Sequence, residues 1–151
     1  WILREAPVDS RTVLDVKWGF QLLLTLPCTL VCIAAVTVGC QLPLDQAGAL
    51  LLVSAAFALF HAPFGLYVNL CFPKLDAPND TVVVKQSAAA LLGTLVPMLL
   101  LGAAFVFYLL LHGWLGVTGT LLAFALVELA AAGVCIRLVR GRGAAMLEAL
   151  T

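Results

Sequence analysis

Apolar residues run almost unbroken through four stretches of the chain, and charged residues mark the gaps between them. No Asp, Glu, Lys or Arg falls between Lys17 and Asp45, or between Asp45 and Lys74, and from Lys85 the next charge is Glu128. A helix needs about 20 apolar residues to cross the hydrocarbon core of a bilayer. The first two gaps hold one span each and the third holds two. This predicts four transmembrane helices, at about 16–40, 47–71, 88–112 and 117–139. The runs are continuous instead of alternating at every second position, which argues against a β-barrel.

The connections fit that division. Residues 41–46 (QLPLDQ) carry Pro43 and Asp45, poor helix-interior residues, and read as a tight turn. Residues 72–87 (FPKLDAPNDTVVVKQS) form the longest polar stretch, and 113–116 (GWLG) is a Gly-bounded turn. Trp114 stands there as an interfacial anchor. Three regions result: a cytoplasmic amphipathic segment at 1–15, a four-helix transmembrane region at 16–140 and a cytoplasmic tail at 141–151. The first apolar run is too long for a signal-peptide core of about 7–15 residues. The chain begins at Trp1 instead of Met, which reads as a piece of a longer protein, its C-terminal part.

Composition narrows the class further. Of 151 residues, 64% are hydrophobic and 11% charged, against about 25% charged in soluble domains. Too little polar surface exists to cover a solvated core. Eight Lys and Arg against eight Asp and Glu leave no basic excess for nucleic acid. The fold class is therefore all-α, a polytopic membrane protein.

The basic residues orient it. Arg4, Arg11 and Lys17 precede or open the first span, Lys74 and Lys85 lie in the second loop, and Arg137, Arg140 and Arg142 close the last span. An even number of spans places all eight on one side. The positive-inside rule makes that side the cytoplasm, with both termini inside.

Candidate chemistry is sparse. There is no Walker A loop, GxSxG, HExxH or GxGxxG, so no catalytic residue, metal site or cofactor is expected on this chain. Cys28, Cys32, Cys40, Cys71 and Cys135 lack the spacing of metal or redox sites and read as packing residues in helix interfaces. Two ionisable residues lie within the spans, Glu128 near the centre of the fourth and His61 near that of the second. Their depths are compatible with a pair. A carboxylate at the bilayer centre costs about 2.5–3.5 kcal/mol, so it faces protein or water. It either lines a substrate path or proton relay, or hydrogen-bonds a neighbouring helix as structural glue. Pro27, Pro63 and Pro97 fall inside spans, where they kink the helix.

The loop segments carry the most specific pattern. Ser10 reads as an N-cap opening a short amphipathic element that runs into the first span. Residues 69–87 combine a proline turn, an Asn79-Asp80-Thr81 helix start and a short amphipathic run to Lys85-Gln86. This stretch resembles the loop N-L-x-F-P-x-L-[DN]-x-x-N-[DE]-x-x-x-V-K-Q-[SN] of bacterial ABC exporter permeases. The matching residues are Asn69, Leu70, Phe72, Pro73, Leu75, Asp76, Asn79, Asp80, Val84, Lys85, Gln86 and Ser87. Residues 3–17 are similar to the segment P-[IV]-S-P-[RK]-x-[IVL]…K of those permeases, through Pro7, Val8, Arg11, Val13 and Lys17. Here Asp9-Ser10 stands where those permeases often have Ser-Pro.

The resemblance implies the C-terminal portion of a permease in the bacterial cytoplasmic membrane, moving an unidentified substrate. ATP and Mg would be bound by a separate ATP-binding subunit. The further partners are a second permease copy or the rest of the permease, and the lipid bilayer. It also implies an ATPase-coupling loop holding Pro73, Lys74, Asp76, Asn79, Asp80, Lys85 and Gln86, or an entry segment holding Arg4, Pro7, Arg11 and Lys17. Two other readings remain open: a small four-helix accessory or assembly protein, and a proton-coupled carrier using Glu128 and His61.

Overall fold

The structure is a computed structural model that describes residues 9–73 and 88–150. Helix α1 spans Ser10–Gly39, α2 Leu44–Cys71 and α3 Ala88–Leu138; a π-helical turn, Val139–Gly143, leads into the short α4, Ala144–Leu150. Among the described residues, three helical segments are long and apolar enough to cross a membrane. Their outward faces carry side chains such as Leu23, Val31, Leu99 and Leu110, each more than half exposed. Length and apolar surface together mark a chain built for the bilayer.

The 51-residue α3 would be about 77 Å long if straight, more than twice the roughly 30 Å of hydrocarbon. It is not straight. Gly116 has φ 68° and ψ 177°, a region open essentially to glycine alone. Seventeen residues of unbroken helix would also separate Phe107 from Phe124 by about 25 Å, yet their ring centroids are 6.4 Å apart. The chain therefore doubles back at Gly116, and arms 88–115 and 117–138 lie side by side. The sequence places this reversal over 113–116; helix in fact continues through Trp114 and Leu115, and one glycine makes the break. Trp114 is 90% exposed at the tip, as an interfacial anchor requires.

The first reversal is tighter than its sequence suggests. Leu42 N–H donates to Thr37 O at 3.0 Å and Gln41 N–H to Val38 O at 3.4 Å, the paired bonds of a Schellman cap. The residue that turns left-handed there is Gln41, φ 51°, where glycine is usual. Helix α2 then starts at Leu44, so Asp45 belongs to its first turn instead of the loop, where a carboxylate complements the positive end of the helix dipole. Gln41→Gly removes the Cβ penalty of the left-handed residue and is expected to raise thermal stability slightly, read as an upward shift of the unfolding midpoint in detergent.

Helix α2 is the central element. Its Ala58 and Ala62 pack against Leu22 of α1, with Trp18, Leu26 and Leu59 around them. Ala49, Ala56 and Pro63 of α2 are buried, as are Ala89, Pro97, Ala125 and Ala132 of α3. Small residues let helix backbones approach where lipid offers no hydrophobic drive. The prolines are taken up within their helices: Pro63 and Pro97 are buried and Pro27 is exposed. Of the cysteines, Cys71 and Cys135 are half-buried, and Cys28, Cys32 and Cys40 are exposed. All five are free.

At one end of the bundle, Leu14, Leu70, Val139 and Ala144 form a second core with Leu66, Tyr67, Met146 and Leu147 around it. Helix α4 is thereby tied to α1 and α2. Gly143 is tight: a Cβ there would stand 3.2 Å from Leu70 Cδ1. Helix α1 begins at Ser10 and includes the amphipathic element without a break. Its N-cap position is Asp9, not Ser10, and no side-chain cap bond forms there.

Arg140 grips Asp15 at this same end, Nε to Oδ1 at 3.0 Å and Nη2 to Oδ2 at 3.1 Å, while Trp18 Nε1–H donates to Oδ1 at 3.0 Å. The described basic residues, Arg11, Lys17, Arg137, Arg140 and Arg142, all lie on the helix ends gathered here, the basic end of the molecule. The Arg140 hydrogen bond, seconded by Trp18, holds the Asp15 carboxyl below its usual range. A lowered folded-state value stabilises at pH above the ordinary carboxylate pKa, and that contribution is lost as pH falls through the folded value. Asp15→Asn is therefore expected to flatten the acid limb of a stability–pH curve below about pH 4 and to leave its shape near neutrality unchanged.

Candidate functional site

A cavity of about 720 Å³ opens between α1, α2 and both arms of α3. Helix α2 forms its floor, because α1 packs on α2 and reaches neither arm of α3 closely. The walls are mainly aliphatic and aromatic, with Phe57, Phe107, Tyr108 and Phe124 among them; polar side chains come from Gln21, Thr25, Thr29, Ser54, His61, Thr120 and Glu128. A smaller cavity of about 400 Å³ lies toward the basic end, between Lys17, Trp18, Asn69 and Thr94. Gln21 and His61 line both.

The structure thus brings Glu128 and His61 to one cavity. It does not pair them. His61 Nδ1 lies 3.5 Å from Gln21 Nε2, and its ring rests against Phe57 with centroids 5.9 Å apart. The contact ties His61 of α2 to Gln21 of α1. Glu128 is 7% exposed, and its Oε2 is buried with no hydrogen-bond partner.

Helix register explains the separation. At the end opposite the basic one, Thr118 Oγ1 donates to Asp45 Oδ2 at 2.6 Å, which places the start of the second arm level with the start of α2. His61 is sixteen residues beyond Asp45, and Glu128 is ten beyond Thr118. The difference of six residues is about 9 Å of helix rise. Counting from the Asp15–Arg140 contact gives the same stagger, since Gln21 is six residues above Asp15 and Glu128 twelve above Arg140. Glu128 therefore sits about 9 Å deeper from the basic end than the His61–Gln21 contact. The compatible depths expected from sequence give way to this offset.

Comparison with known proteins finds no matching protein family, curated protein or solved structure. The chemistry of the cavity therefore rests on its own residues.

Among the other sequence-predicted positions, Arg11 and Lys17 are exposed on the first turns of α1, Lys17 at the mouth of the smaller cavity, and Pro73 is exposed just past α2. Arg4, Pro7, Lys74, Asp76, Asn79, Asp80, Lys85 and Gln86 lie outside the described residues. Among the described residues no cluster of His, Cys, Asp and Glu has the geometry of a metal site. Sequence reasoning passed over Gln21, although a lone amide inside an otherwise apolar, charge-free run is itself a signal. Thr25 and Thr29 gave less, because their hydroxyls bond to the carbonyls four residues back, as threonines in apolar helices commonly do.

Proposed function

We propose that this chain is the membrane-spanning part of an ATP-driven exporter in a bacterial cytoplasmic membrane, working with a separate ATP-binding subunit. Counting the two arms of α3 as separate crossings gives four spans, and the positive-inside rule puts both termini in the cytoplasm. The observation that carries a transport role is the central cavity. Its 720 Å³ falls in the range of small-molecule sites, apolar with a few convergent polar groups. ATP coupling is supported by the loop pattern at 69–87, where Pro73, Asp76, Asn79, Asp80, Lys85 and Gln86 match the resemblance to exporter permeases. Closure of the ATPase pair would then push on that loop or on the 4–17 segment and tilt the helices about the cavity.

Purification of the tagged full-length protein from its native host in mild detergent tests this reading. A stoichiometric partner with Walker A and B motifs and ATPase activity is the expected result. Its absence, under conditions where a known ABC complex stays together, would overturn the proposal.

The unpartnered carboxylate of Glu128 favours a second reading, a proton-coupled carrier. That version requires uptake or efflux to follow a pH gradient without ATP. Transport left unchanged by Glu128→Gln would exclude it.

A further inference from the structure

We infer that the central cavity binds lipophilic monocations, molecules with an apolar body and a single positive charge; this deepens the transport reading and rests on it. Three observations converge. The first is charge. Among the described residues lining the cavity, Glu128 is the one carboxylate and no Lys or Arg is present. The second is an unmet polar group. Glu128 is 7% exposed and its Oε2 has no partner, so a buried acceptor carries the cost of desolvation without compensation. Thr120, the nearest hydroxyl along its arm, does not relieve it: the Thr120 Oγ1–H donates to Gly116 O at 2.8 Å. The third is the wall. Phe57, Phe107, Tyr108 and Phe124 surround the space, and aromatic faces attract cations most strongly where water is excluded.

The three together select against the other ligand classes. A neutral apolar molecule would fill the volume and leave the carboxylate unpaired. An anion would be repelled by it, with no basic residue in the wall to offset the repulsion. A small hydrated cation would have to shed its water against aliphatic and aromatic surface, gaining one carboxylate in return. A cation whose charge is embedded in apolar groups meets both halves of the wall. The smaller cavity shares Gln21 and His61 with the central one and lies on its basic side, about 9 Å short of Glu128.

The test uses the purified full-length chain in lipid nanodiscs, with tetraphenylphosphonium as probe and tetraphenylborate as its anionic shape match. Equilibrium binding should show tetraphenylphosphonium held at least ~10-fold more tightly by the wild type than by Glu128→Gln, about 1.4 kcal/mol. Glu128→Asp should recover part of the loss. The wild type should also prefer the cation over tetraphenylborate, a comparison that stands even if the variants do not fold. Equal binding of the two shape-matched ions, or full cation affinity in a folded Glu128→Gln protein, would overturn the inference. Cation-selective binding without an ATPase partner would leave this site standing and remove the ATP-driven reading. A partner ATPase with no cation preference would do the reverse.

Discussion

Leu14→Ala is expected to lower the unfolding free energy by about 2–5 kcal/mol, the range for deleting a buried leucine side chain without full collapse of the site. Leu14 is 1% exposed and packs with Leu70, Val139 and Ala144. Those partners belong to the end of α2, the π-helical turn and α4. To close the void, all these elements would have to shift against α1 together. Leu70 sits close enough to Gly143 that a Cβ there would stand 3.2 Å from its Cδ1, and Arg140 anchors the turn to Asp15. Little freedom remains for collapse, so the cost should fall toward the upper part of the range. Leu23→Ala is the matched control. Leu23 is 68% exposed on the outward face of α1 and leaves no internal void when shortened. Chemical or thermal unfolding in detergent checks the pair, and equal effects at the two positions would show that the basic-end core does not hold the helices together.

Gly116→Ala should cost about 1–3 kcal/mol, the penalty for a non-glycine residue in this backbone region. The cause is purely local. A Cβ at Gly116 would meet no heavy atom within 4 Å, so crowding contributes nothing, and φ 68° with ψ 177° contributes everything. Gly113→Ala separates this from any general sensitivity of the loop tip. Gly113 is helical and also has open space around its Cβ position, so alanine there should be neutral or stabilising by about 0.5–1 kcal/mol. Of two substitutions three residues apart and identical in chemistry, Gly116→Ala should therefore lower the unfolding midpoint and Gly113→Ala should not. A lowering no larger at Gly116 than at Gly113 would mean that the reversal is not made at Gly116.

The Gly116 result also bears on transport. The reversal sets the two arms of α3 side by side, and both arms wall the cavity through Phe107, Tyr108, Phe124 and Glu128. Strain at the tip would be transmitted to their spacing. A loss of cation binding in Gly116→Ala larger than its loss of stability would indicate that the arm separation tunes the site.

The helical, membrane-embedded class was legible in the sequence, as were the approximate places of the reversals near 41–46 and 113–116. Long uncharged runs can be satisfied only as helices in lipid, since every backbone group must pair internally. The basic residues were equally readable as a set: those described do gather at one end, and the Asp15–Arg140 contact joins the helix ends that carry them. Glu128 stood out from sequence alone because a carboxylate inside such a run demands a reason. What it faces did not. Depth along one helix follows from counting residues, but depth relative to another helix depends on how the two are registered. Here that is decided by the contacts of Asp45 with Thr118 and of Asp15 with Arg140, which lie 73 and 125 residues apart in the chain. Those contacts separate His61 from Glu128, give His61 to Gln21 and leave the carboxylate alone on an apolar wall. Local composition determined which residues enter the membrane; only the packing of distant helices decided which of them meet.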